Sequence, residues 1–247
     1  NSFRTAAQII AERATMAVDD SYTAFTAGGI KVIHPTTGAV KELAEIGDIL
    51  GLVANTDNFF GPWYAAGGLR RGVVKDAVGV VNNFGSTGQT ADLNLLSNRQ
   101  VNCMIQRHGQ VVFWNNVTAL LSESHLNQIS IRRFLIWLKK SLKPTLEKAL
   151  LQPNDPVTWK ALYFEVKPFL DSLKSKRALY DYAWQGDQFA KDLSSLQVND
   201  RTDVGRGKYK ARLLLNIIPG ILEIGVDLVI TRTDVSFEDF SINFDAL

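Results

Sequence analysis

Apolar residues recur at spacings of three and four in three stretches of the chain and alternate with polar ones in several others. Over residues 3–18, Phe3, Ala6, Ala7, Ile10, Ala14 and Val18 fall on one face of a helix. Over 126–143, Ile131, Phe134, Leu135, Leu138 and Leu142 share a face while Arg132, Arg133, Lys139, Lys140 and Lys143 decorate the rest, the clearest helical signal of the chain. Pro144 follows, and helical composition then resumes as far as Leu151. In the third stretch Trp159, Leu162, Tyr163, Val166, Phe169, Leu170 and Leu173 keep the same spacing for four turns. Asp155 is placed to cap its start and Pro156 to occupy the first helical position. Pro168 removes a backbone donor in mid-helix, so a kink or a division is expected there.

Shorter runs predict strands. Ile30–Ile33 and Ala39–Leu43 flank the turn composition Pro35-Thr36-Thr37-Gly38. Val101–Gln106 and Gln110–Trp114 predict a hairpin about His108-Gly109. Lys208–Ile218 predicts a strand ended by Pro219-Gly220. In Leu222, Ile224, Val226, Leu228 and Ile230 apolar residues alternate with Glu223, Gly225 and Asp227, as in a strand with one face buried. Ile46–Asn55 is apolar and fits a buried helix or a buried strand. Phe59–Gly72 and Asn82–Thr90 read as loops, with the apolar run Val73–Val81 between them. The sequence of elements is that of a mixed α/β chain.

Composition bounds the reading. With 247 residues, 46% of them hydrophobic and 21% charged, the chain can bury a core without disulfide or metal staples. No apolar stretch reaches the roughly 20 residues that span a membrane, which predicts a soluble protein. Cys103 is the only cysteine, so no intrachain disulfide forms; its apolar surroundings predict a buried side chain, and a reducing compartment such as a bacterial cytoplasm fits. The start at Asn1 carries no signal-peptide pattern and is expected of a processed product, a fragment or part of a longer chain. The net charge of +2 conceals a segregation: nine basic against ten acidic residues in 1–125, seventeen against nine in 126–220, and one against six in 221–247. A basic block followed by an acidic tail suits a tail docked on a neighbouring copy or one folded on its own block.

Candidate chemistry is sparse. His34, His108 and His125 stand apart, without HExxH or CxxC, so no metal site is expected. No GxSxG elbow is present, and nothing around Ser86 marks it as an activated nucleophile. The glycine-rich, basic segments 66–72 and 205–208 lack phosphate-loop spacing. The block 126–220 combines basic charge with Trp137, Trp159, Tyr163, Tyr180, Tyr182 and Trp184, which keeps a nucleic-acid module in play. Trp159 and Tyr163, however, belong to the apolar helix face and suit a core better than a stacking platform. An α/β hydrolase-like enzyme using the glycine-rich loops is the other competing class.

Several landmarks in order resemble the contractile tail sheath family of myophages, R-type pyocins and related injection machines. These are Gly51-Leu52-Val53-Ala54-Asn55-Thr56-Asp57, then Gly61-Pro62-Trp63-Tyr64-Ala65-Ala66-Gly67-Gly68-Leu69-Arg70-Arg71-Gly72, then the approach Leu93–Val101 to a strand. Gln110–Thr118 stands where the family has a strand and a Gly-x-Arg-Thr motif, whose Arg this chain lacks. Ile129-Ser130-Ile131-Arg132-Arg133-Phe134-Leu135-Ile136-Trp137 is similar to the family's Arg-Arg helix. Gln152-Pro153-Asn154-Asp155, Trp159 and Phe169–Leu173 follow at family-like spacing. The resemblance covers about residues 48–240.

The resemblance implies a mixed sheet with flanking helices, the remainder of a subtilisin-like sheath domain, over residues 1–110. It implies an α+β C-terminal domain facing the tube over 111–247. Trp63, Gly67, Arg71, Gly72 and Trp159 are then structural motif residues. Leu222, Ile224, Val226, Leu228 and Ile230 match a strand that links subunits by β-augmentation, and the family's N-terminal arm is expected to be missing from this chain. Arg132, Arg133, Lys139, Lys140, Lys174, Lys176 and Arg177 are candidates to face an acidic tube. The implied role is a virion subunit, assembled in the host cytoplasm into a helical sheath of six-fold rings around a tail tube protein. Baseplate and tail terminator proteins are its further partners. No catalysis, metal, cofactor, membrane or direct nucleic-acid contact is implied, and a pyocin or type VI-like secretion sheath is the nearest alternative.

Overall fold

The computed structural model describes residues 4–84, 90–186 and 201–220. Helix α1 (Ala6–Thr15) opens on a capping box, in which Thr5 and Gln8 bond reciprocally through side chain and backbone. Strand β1 (Phe25–Ala27) leads to the hairpin of β2 (Ile30–Ile33) and β3 (Val40–Leu43). Its turn is held by His34, whose Nδ1 accepts from the Thr36 and Thr37 amides. Helix α2 (Ile46–Phe59) resolves the open choice for the apolar run in favour of a helix. The run buries one face, with Ile49 in the core and Leu52 and Val53 packed against it, while Ile46 and Leu50 are more than half exposed.

After the loop 61–72 come β4 (Val73–Val74), β5 (Ala77–Val80), α3 (Thr90–Asn98), β6 (Val101–Arg107) and β7 (Gln110–Trp114). The stretch Leu93–Val101, expected as an approach to a strand, thus contains most of a helix. The β6–β7 turn has His108 and Gly109 both at positive φ, the geometry that matches the twist of a tight hairpin. This hairpin straddles residue 110, with Arg107 paired to Gln110. The chain continues with α4 (Ile129–Glu147), α5 (Pro156–Ser175), β8 (Leu179–Gln185), α6 (Arg201–Gly205) and β9 (Arg212–Ile217). Pro144 lies inside α4, and α5 runs through Pro168 undivided. Asp155 caps α5 as expected, accepting from the Thr158 amide at 2.8 Å.

Two sheets build the first region, β1-β6-β7-β4 and β3-β2-β5. β1 runs parallel to β6, and the other pairs are antiparallel. Successive side chains of β6 point to opposite faces, and both faces are covered. Val101, Cys103 and Ile105 pack with Ala6, Phe84, Leu93 and Leu96. Met104 packs on the other side with Ile30, Ile49, Val74, Val80, Val111 and Phe113. Asn102, fully buried in the same strand, donates to the carbonyls of Phe25 and Val117 and accepts from the Val117 amide. Every hydrogen-bonding site it must fill in the interior is thereby used.

The main core of the second region lies between its helices and its sheet. Phe134, Leu138 and Leu142 of α4 meet Val166, Leu170 and Leu173 of α5, with Ala178 and Leu179 beside them, and the antiparallel pair β8–β9 lies against this cluster. Along β9, Leu213, Leu215 and Ile217 face the helices while Leu214 is turned outward and 46% exposed.

Candidate assembly interface

The loop 61–72 joins the two regions. Its backbone clips the edge of β7: the Gly68 amide donates to the Phe113 carbonyl at 2.8 Å, and the Phe113 amide donates to Gly72 at 2.7 Å. Glycine is required at both shoulders of this clip. A β-carbon on Gly67 would lie 2.5 Å from the Asn115 carbonyl oxygen, and one on Gly72 would lie 2.8 Å from that of Phe113. Arg71 closes the loop on itself, its Nε donating to the Ala65 carbonyl while its guanidinium lies 4.9 Å from the Tyr64 ring centre. Trp63 carries the loop into the second region. Its ring meets Phe134 edge-on at 6.0 Å and Trp137 at 5.9 Å, and Trp137 continues to Phe169 at 5.8 Å. Each such aromatic pair contributes about 0.5–1.5 kcal/mol beyond its buried area.

Trp159 is 1% exposed and belongs to the interior, as expected of the apolar face of its helix. Its indole N–H donates to Asn154 Oδ1 at 2.8 Å, and its ring stacks on Tyr209. The Asn154 amide group donates in turn to the carbonyls of Val204 and Lys208. The sequence Gln152-Pro153-Asn154-Asp155 is therefore a clasp as well as a helix start.

The seven basic candidates divide into two kinds. Arg133 is held to Asp57 of α2 in a salt bridge, and burial pushes its guanidinium down to about 10. Arg132 donates to Ser21 and lies 4.2 Å over the Tyr22 ring, and Lys174 pairs with Asp181 at 2.9 Å. These three have partners inside the chain. Lys139 and Lys140 on α4, and Lys176 and Arg177 just past α5, are exposed and form no ion pair among the described residues. The predicted linking strand, Leu222 to Ile230, lies outside the described residues.

Two further features lie at the surface. Among the described residues β8 and β9 pair only with each other. Large apolar side chains also cluster in exposed positions on one segment: Ile46, Leu50, Phe59 and Phe60 on and just after α2 are 51 to 72% exposed.

Cys103 is fully buried, and burial first, then the nearby Glu45, raises its thiol to about 12, which leaves little thiolate near neutral pH. Among the described residues no three potential metal ligands come together, and no helix is long and apolar enough to cross a membrane.

No protein-family model matches the chain. Residues of the chain are 26% identical over 194 positions to the tail sheath protein of Vibrio phage KVP40, covering 78% of this chain and 27% of that protein. The chain is a relative of contractile tail sheath proteins. The tail sheath protein of Enterobacteria phage T4 is 22% identical over 195 positions, covering 78% of this chain and 28% of that protein. The chain thus spans about a quarter of the length of these curated relatives. Its fold is that of a solved sheath: a subunit of the sheath complex of an extracellular contractile injection system, PVC, in the contracted state, superimposes with a TM-score of 0.74 at 15% identity, over 93% of this chain and 61% of that one. The glycine clip, the aromatic bridge and the Asn154 clasp are made by residues of the segments that carry the resemblance.

Proposed function

We propose that this chain is part of a structural subunit of a contractile phage tail sheath, a helical polymer around a tail tube that contracts to drive the tube through a host envelope. The observation that carries this reading is the sequence likeness to two phage tail sheath proteins over 78% of the chain. In this reading residues 1–110 are what remains of a subtilisin-like sheath domain, whose sheet β7 completes across that boundary. Residues 111–247 form the tube-facing domain. That β8 and β9 pair only with each other among the described residues supports a β-augmentation link, in which the segment 222–230 of another copy adds a strand. Heterologous contacts that do not close into a single ring generate a helical filament of stacked six-fold rings.

Lys139, Lys140, Lys176 and Arg177 are the cations we assign to an acidic tube surface. Exposed, screened pairs are weak enough to release as the subunits rotate. Arg132, Arg133 and Lys174 serve the subunit itself. The role is mechanical, without catalysis, metal or cofactor, and without contact to membrane or nucleic acid. Partners are further copies of the chain, the tail tube protein, and the baseplate and terminator proteins at the two ends. The subunit belongs to the virion and is assembled in the host cytoplasm.

The fold likeness to an injection-system sheath favours a second reading, the sheath of a pyocin-like or secretion machine. Capsid and DNA-packaging genes beside the coding sequence distinguish the phage reading from this one. Sedimentation of the full-length protein with and without its tube protein tests both: a fast-sedimenting polymer nucleated by the tube is expected, and a monomer under both conditions overturns them.

A further inference from the structure

Glu45 joins β3 to α2 and stands at the N-cap of that helix without capping it; its side chain turns inward and is 2% exposed. Neither carboxyl oxygen has a hydrogen-bond partner. The group sits where the two sheets meet. The β1–β2 turn presses on it closely enough that a β-carbon on Gly28 would lie 3.0 Å from Glu45 Oε2 and 3.8 Å from the Phe84 ring. The Thr26 hydroxyl of β1 stands beside the carboxyl and works against the effect of burial. From β6 the titratable neighbour is the Cys103 thiol, uncharged near neutral pH. A buried carboxyl without a bonded partner is tolerated as the neutral acid and strongly opposed as the anion.

We propose that Glu45 is a proton-controlled latch at the seam of the two sheets. Neutral, it lets the β1–β2 turn close over the β3–α2 corner; ionised, it draws water into that corner and loosens it. The device belongs to the subunit and is independent of the assembly in which the subunit works.

The direction follows from linkage. Burial, opposed by Thr26, raises the carboxyl from 4.5 to about 7 in the folded chain. The stabilising effect of the bound proton is fully present below pH 4.5, is lost as pH rises to about 7, and stays lost above. The folded-to-unfolded ratio falls on the order of a hundredfold across that window.

The test uses the whole chain, with side-chain carboxyl carbons followed by NMR from pH 4 to 9 and amide exchange measured alongside. A carboxyl that titrates near pH 7 and disappears in Glu45→Gln is expected. Protection of the amides of residues 29–31 and 46–50, corrected for intrinsic exchange, is expected to drop by about tenfold above pH 7 in the wild type and to stay level in Glu45→Gln. Glu45→Leu, which matches the apolar surroundings, serves as a second neutral variant and is expected to show the same level profile. A wild type in which no carboxyl titrates above pH 6 overturns the proposal. So does a titration near 7 with pH-independent protection, or a failure of both neutral variants to fold at pH 5.

Discussion

The region around β6 and the region around α4 and α5 solve the same problem in opposite ways. β6 is buried on both faces, receives a parallel neighbour on one side and an antiparallel one on the other, and carries a fully bonded Asn102 in its middle. Among the described residues, the second region packs one face of each helix against a two-stranded sheet. Two strands alone are marginal in water and gain stability from the surface they pack on or from further strands. The contrast is between a strand covered on both faces and, among the described residues, a two-stranded sheet resting on one layer of helices. The two regions are joined by the chain after β7, by the Trp63 bridge to Phe134 and Trp137, and by the contacts of Arg133 with Asp57 and Arg132 with Ser21.

Substitutions sharpen this contrast in order of their expected effect. Trp159→Ala removes the largest fully buried side chain among the described residues together with its bond to Asn154, and is expected to cost about 3–5 kcal/mol. Urea unfolding monitored by amide exchange should show the loss concentrated in α5 and β9, with β6 protected as before. Gly67→Ala forces a β-carbon against the Asn115 carbonyl. A loss of about 3 kcal/mol is expected, and because the loop ties both regions, both should lose protection together. A loss confined to one region would mean that the loop is not a bridge.

Asn102→Ala leaves the Val117 amide and two carbonyls without their partner, for about 1–3 kcal/mol, and its signature is confined to the first region. Reversing Lys139, Lys140, Lys176 and Arg177 to Glu is expected to change stability by less than about 0.5 kcal/mol per site while weakening co-assembly with the tube in pull-down at low salt. Unchanged co-assembly would remove these four from the tube contact.

How much of this was legible in the sequence follows from which signals are local. The hairpin at His108-Gly109, the capped start of α5 at Asp155-Pro156 and the burial of Trp159 and Cys103 rest on turn chemistry and helical spacing within a few residues, and each is found where expected. Helix α3 was not foreseen, because Thr90–Asn98 carries only Leu93 and Leu96 as its buried anchors among the described side chains. Arg132 and Arg133 read as surface cations because their partners stand 111 and 76 residues away in the chain. Gly67 and Gly72 carried a family resemblance but no reason; the reason is the nearness of β7, which is tertiary. Glu45 gave no sign at all, since an acidic residue before a helix ordinarily signals a solvated end. Pro144 and Pro168 show the limit of propensity: packing of the α4–α5 face keeps both helices continuous through residues that disfavour them.

The most direct test is negative-stain microscopy of the full-length gene product beside a version ended before Leu222. Hollow, striated tubes from the first, lost in the second, are the predicted result and tie polymerisation to the segment 222–230. Tubes from both would remove the strand link while keeping the sheath. A well-folded full-length protein that forms no tubes, even with its tube partner present, would contradict the sheath reading itself.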